Sequence, residues 1–204
     1  MPKTKERRTQ DERSAETRQK LLDATIRSLV DFGYPATTGR RVAELAGVSR
    51  GAQTHHYPQV ADLISDAVGH LAERRAEEFK HRANTLRGTK EQVAGLVDLL
   101  WEDYSGDLFK AVVKLWVAAA DDPALSERLS PLERSLRSTL RSTVRELVDD
   151  AGTPDSVTAR LDLVVNTVRG LALAEAFEPG EGRSQAARWR AIRPLLIELL
   201  ERRG

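Results

Sequence analysis

Apolar residues recur along most of the chain at spacings of three and four, and strict alternation is nearly absent. The pattern therefore predicts helices and no sheet. A first helix is read from about Ser14 to Asp31, with Leu22, Ile26, Leu29 and Val30 on one side. It stops at "DFGYP", where Gly33 suits a left-handed cap and Pro35 bars continuation. A short helix follows the N-cap Thr38 through Val42, Ala43, Leu45 and Ala46, and Gly47 ends it. Ser49 caps a second short helix, closed by Pro58. A longer helix opens near Asp62 and carries Leu63, Ile64, Ala67, Val68 and Leu71 as far as "NTLRGTK". Five more are expected near 89–103, 106–121, 124–150, 155–177 and 185–202, parted by Gly, Pro, Asp and Ser. Pro194 is expected to kink the last of these or to mark its true start. The expected architecture is all-α, with about nine helices. Its parts are an arm over 1–13, a small unit over 14–60, a connecting helix over 61–84 and a larger helical domain over 85–204.

One element departs from the amphipathic rule. "SRGAQTHHYP" offers only Ala52 and Tyr57 as apolar anchors. Two short helices joined by Gly47-Val48-Ser49 match a helix-turn-helix, whose second helix lies in the major groove and must present polar side chains. On that reading Arg50 takes a guanine, Gln53 an adenine, and Thr54 a thymine methyl or a phosphate. Ser49 caps the helix, Gly51 lets the backbone come close, and His55 and His56 suit phosphate oxygens. Arg40, in the first turn of the preceding helix, is placed to reach a neighbouring base, with Thr38 on a phosphate. A surface helical hairpin with no DNA role is the plainer alternative. A metal site at His55-His56 is disfavoured, because adjacent helical residues diverge by about 100° and the chain has no cysteine.

Charge sharpens the picture only through its distribution. The chain of 204 residues has a formal net charge of +1, yet residues 1–60 hold 11 Lys/Arg against 7 Asp/Glu. At 40% hydrophobic and 31% charged residues the profile is that of a soluble globular protein. The absence of cysteine excludes disulfides, thiolate zinc sites and a cysteine nucleophile. The basic opening "MPKTKERRTQDERSAETRQK" has no apolar core of a secretory signal, and no run approaches the roughly 18 apolar residues of a membrane span. A cytoplasmic protein without membrane contact is expected.

The stretch "ATTGRRVAELAGVSRGAQTHHYPQVADLI", preceded by "RQKLLDATIRSLVDFGY", resembles the tetracycline-repressor (TetR) family of bacterial transcription regulators. The matches are Thr37-Thr38, Val42-Ala43, the "AGVSRG" turn and "HHYP" followed by Asp62-Leu63, over roughly residues 14–68. The resemblance implies a homodimeric repressor reading a palindromic DNA operator. Arg40 corresponds to a base-reading position, and Thr38, Thr54, His55 and His56 to positions touching bases or phosphates. Two residues depart from it: Val60 stands where a phosphate-binding lysine is frequent, and Thr54 where tyrosine is common. The basic arm, with Lys3, Lys5, Arg7 and Arg8, is a candidate to replace the missing contact.

Residues 85–204 hold no phosphate-cradling glycine loop, metalloprotease helix or nucleophile elbow, so neither an enzyme nor a cofactor is expected. Trp101, Tyr104, Phe109 and Trp116 fall in two neighbouring helices, which in family-like architecture line a ligand cavity. With Leu100 and Arg169 they form the candidate site for a small apolar or aromatic effector; Asp103 and Lys114 are further polar candidates. Ordinary core packing of Trp101 and Trp116 is the alternative. Residues 157–177 and the last helix are apolar on more than one face. The resemblance implies that they pair with their symmetry mates, through Leu161, Val165, Val168 and Ala172 on one and Trp189, Ile192, Leu196 and Leu199 on the other. A monomeric core, and a helical small-molecule-binding protein without a DNA role, remain open at this point.

Overall fold

The computed structural model describes residues 9–148, 154–177 and 182–201. The described residues form nine helices and no strand. They are α1 (Gln10–Phe32), α2 (Gly39–Ala46), α3 (Arg50–His56), α4 (Val60–Thr85), α5 (Gln92–Ser105), α6 (Asp107–Ala120), α7 (Pro123–Leu147), α8 (Pro154–Phe177) and α9 (Gly182–Glu201).

The helix ends follow local chemistry. Thr9 and Glu12 form a capping box, each side chain bonded to the other's backbone N–H, so α1 begins four residues before the expected Ser14. Residues 10–13, expected in the arm, are therefore helical, and Lys3, Lys5, Arg7 and Arg8 lie outside the described residues. Thr38 Oγ accepts from the N–H of Arg41 and Ser49 Oγ from that of Ala52, which starts α2 and α3 as expected. Between them Gly47 adopts a left-handed φ of +66°, a conformation a side chain would strain. Asp122 caps α7, with Pro123 in its first turn. Pro194 does not begin the last helix: α9 runs through it from Gly182.

Three apolar clusters hold the chain together. Leu21, Leu22, Val42, Tyr57, Leu63 and Ala67 bind α1–α4 into the small N-terminal unit. Leu96, Leu100, Val144, Leu161, Val164 and Val168 lie at the centre of the larger helical core. Between the two, Leu29 and Ile64 from α1 and α4 pack on Leu115, Leu125 and Leu129 from α6 and α7. Polar contacts flank this seam: Tyr34 Oη donates to Asp122 at 3.4 Å, and Arg128 pairs with Asp62 at 3.1 Å. The long helix α4 belongs to both halves.

Candidate nucleic-acid interface and ligand cavity

The helix-turn-helix is held by its two buried members. Tyr57, just past the end of α3, inserts between α1 and α4, where its hydroxyl accepts from Arg18 at 2.9 Å and donates to Asp66 at 3.0 Å. Burial is the main reason its phenol pKa is raised. Gln53 is the second anchor and corrects an expectation. It is 3% exposed, and its side-chain amide donates to the Tyr57 carbonyl at 2.8 Å while its own carbonyl accepts from the Tyr57 N–H. A side chain tied to the end of its own helix does not reach a base. Gly39 explains the fit, because a Cβ there would lie 2.8 Å from Gln53 Oε1 and 3.1 Å from Val60 Cγ2. Gly39 was not singled out from the sequence, and only this close approach identifies it. Val60 is half-buried against the seam between the halves, so an apolar plug occupies the position expected to bind phosphate in relatives.

The remaining candidates are open to solvent. Thr38, Arg40, Ser49, Arg50, Gly51, Thr54 and His55 are exposed, and His56 is half-exposed. Arg40 is paired with Glu44 one turn on, at 2.9 Å. The His55 and His56 rings meet edge-on at 5.7 Å. Arg41 is committed elsewhere: its guanidinium donates to the Ala36 carbonyl and covers the Phe32 ring.

In the larger domain Tyr104, Phe109 and Trp116 share one wall of a cavity, in successive edge-to-face contacts at 4.9 and 6.1 Å. The facing walls come from α4 (Val68, Leu71, Ala72, Arg75) and α7 (Leu129, Leu132, Glu133, Leu136). Its free volume is about 70 Å³, less than the roughly 300 Å³ or more that ligand sites usually enclose. Arg75 binds Asp103 at one edge, and burial raises the Asp103 pKa against the opposing pull of that guanidinium. At another edge Arg169 stands 4.5 Å over the Trp116 ring and pairs with Glu133 at 3.1 Å. Leu100 and Trp101 are corrections. Leu100 is fully buried in the core, and Trp101 stacks on Trp189 of α9, rings 4.5 Å apart and nearly parallel. Lys114 is exposed. The α4 and α7 walls were missed because their residues read as ordinary helix faces.

Five of the eight expected dimer residues need the same correction. Leu161, Val165, Val168, Ala172 and Leu196 are buried in the subunit's own core. Trp189, Ile192 and Leu199 pack on that core, partly buried. Among the described residues, the large apolar side chains left in solvent on these helices are Leu163 (55% exposed) and Leu173 on α8, and Leu195 (62%) on α9.

Residues 21–67 match the family described as bacterial regulatory proteins, tetR family. Residues 90–201 match the BetI-type transcriptional repressor C-terminal family. The HTH-type transcriptional regulator CymR of Pseudomonas putida is 33% identical over 186 residues, 89% of this chain and 90% of that protein. The HTH-type regulator BetI of Burkholderia lata is 27% identical over 126 residues, 60% of this chain and 65% of that protein. A Streptomyces coelicolor regulator shares the fold with a TM-score of 0.64 at 24% identity, over 91% of this chain and 96% of that one. A Saccharomonospora viridis regulator, solved with choline, does so with a TM-score of 0.67 at 18% identity, over 92% and 96%. No described helix is long and apolar enough to cross a membrane. The chain belongs to the TetR family of transcriptional regulators, with a C-terminal half of the BetI type.

Proposed function

We propose that this protein is an effector-responsive repressor that binds a palindromic operator as a homodimer and releases it when a small molecule enters the cavity beneath Trp116. The observation that carries the reading is a shared wall. Val68 and Leu129 line the cavity and also pack on the seam joining α1 and α4 to α6 and α7. A cavity of about 70 Å³ cannot take a ring and its substituents as it stands, so entry has to move α4 or α7. Movement of α4 pulls on Asp66, hence on Tyr57 and the end of α3. The two recognition helices of a dimer must enter successive major grooves about 34–36 Å apart, so a small tilt of each is enough to spoil the match. The effector acts only through its tighter binding to the expanded state.

In the bound state Arg50, Thr54 and His55 of α3 face the groove, with Arg40 beside them, and the exposed apolar face of α8 and α9 meets its symmetry mate. The test is a footprint of the purified protein on the DNA flanking its own gene, repeated with metabolite pools. The reading predicts a two-fold symmetric footprint lost with an effector. Binding that is indifferent to sequence, or a footprint that no ligand alters, overturns it.

A further inference from the structure

The aromatic cavity is not closed off from charge. Glu133 stands where the cavity meets an open groove of about 430 Å³ that carries Ser126, Ser130 and Arg134, and also a narrow cleft toward α8. Its carboxylate is bound by Arg137 at 2.9 Å and by Arg169 at 3.1 Å. One carboxylate thus faces two guanidiniums, and Arg134 adds a third to the same groove. The other charges nearby cancel: Arg141 pairs with Asp162 and Arg75 with Asp103.

Tyr104 lines both the cavity and the cleft. It is 7% exposed, and the Arg169 guanidinium stands 5.8 Å from the centre of its ring. Burial pushes its pKa up to about 12, so the group remains a neutral donor. A neutral phenol donor and an excess of guanidinium at the mouth of an apolar cavity suit the same thing, an acid group. A cationic ligand finds the opposite: both carboxylates at the cavity are already engaged by arginines.

We propose that Glu133 is an internal stand-in for the acid group of the effector: a carboxylate or phosphate takes its place on Arg137 and Arg169 and accepts from Tyr104, while an apolar body enters the cavity. The inference rests on the reading of this cavity as the effector site and names the chemistry of what it takes. It adds an acid group to the small apolar or aromatic effector expected from the sequence. Because Glu133 sits on α7 and Arg169 on α8, the exchange also breaks the direct ion pair between these helices, and α7 carries the Leu129 that packs on Leu29 and Ile64.

Calorimetry with one apolar body and four head groups tests it, using 3-phenylpropanoate, 2-phenylethyl phosphate, 3-phenylpropanamide and 3-phenylpropylammonium on the full chain. At least one acid is expected to bind about tenfold or more tighter than the amide, as charge-assisted bonds imply, and the ammonium weakest. Arg169→Met removes that preference and leaves amide binding in place. Glu133→Gln keeps shape and removes the competitor, so acid binding tightens while amide binding is unchanged; this variant decides the matter even if Arg169→Met does not fold. Equal binding of acids and amide, a preference for the ammonium, or weaker acid binding by Glu133→Gln overturns the acid site and leaves the effector cavity standing. Failure of all four to bind overturns the cavity reading as well.

Discussion

Arg40 and Gln53 carry similar polar side chains within one helix-turn-helix, and burial gives them opposite work. Arg40 is held only by an exposed pair with Glu44, which contributes little in water, so the guanidinium is free to leave it for a base edge. Arg40→Ala is expected to weaken operator binding by about 1–3 kcal/mol, the worth of one bidentate base contact. Its effect on random DNA and on unfolding should be small, which gel-shift titrations beside urea unfolding will check. Gln53→Ala should do the reverse. It strips the Tyr57 carbonyl of its donor and empties the space under Gly39, at a cost in stability of about 1–3 kcal/mol. The operator loses affinity with no change in which base is preferred at any position, so the operator's base profile is the deciding measurement. The sequence made the exposed candidates legible because a helix with few apolar residues has to face water or DNA. It could not separate Gln53 from them, since polarity reveals exposure only when the side chain's partners are known. Here the partner is the carbonyl four residues on.

At the scale of elements, the caps and breaks were legible because Thr, Ser, Gly and Pro act on their immediate neighbours. The pairing of faces was not. Trp101 was expected at the cavity, yet its helix turns it to Trp189, while α4 and α7 supply two walls that periodicity reads as plain amphipathic faces. The joint between the two halves shows which contacts matter most. Arg128 and Asp62 are each about a third or more exposed, so breaking that pair should cost less than about 1 kcal/mol. Leu129 is 5% exposed and fills the space between the cavity and Leu29, Ile64 and Leu125. Leu129→Ala should cost about 2–5 kcal/mol, the usual price of a large buried truncation. It should also loosen α4 against α7 and lower operator affinity with no effector present. Denaturant unfolding of Arg128→Ala and Leu129→Ala side by side checks the order. An equal or larger loss in Arg128→Ala would place the coupling in the ion pair instead of the apolar seam.

At the scale of the whole molecule, the proposed homodimer requires a face of α8 and α9 that can meet a second copy. Both helices are apolar on two sides, which the sequence could not tell apart; only packing distinguishes the chain's own core from its outer face. Leu163, Asn166, Gly170 and Leu173 are spaced to fall on one side of α8, and all are exposed. A Cβ on Gly170 would meet nothing within 4 Å, so this face leaves room for a close neighbour. Ala191 and Leu195 continue the exposed apolar surface on α9. Single exposed leucines are unremarkable, but three of them on two helices packed together are where the proposed dimer would bury apolar surface. A two-fold contact repeats each residue across the axis, so one substitution alters both sides at once. Leu163→Glu combined with Leu195→Glu should therefore give a folded monomer, with helical content intact by circular dichroism and a halved mass by light scattering. Operator affinity should fall about 10²–10⁴-fold, because the second half-site is then no longer held at high effective concentration. Leu161→Ala, on the buried side of α8, is the control: it should cost about 2–5 kcal/mol of stability while the surviving folded protein remains a dimer. A dimer that persists in the double variant, or a monomer produced by Leu161→Ala at full helical content, would move the interface back to the residues first read from the sequence.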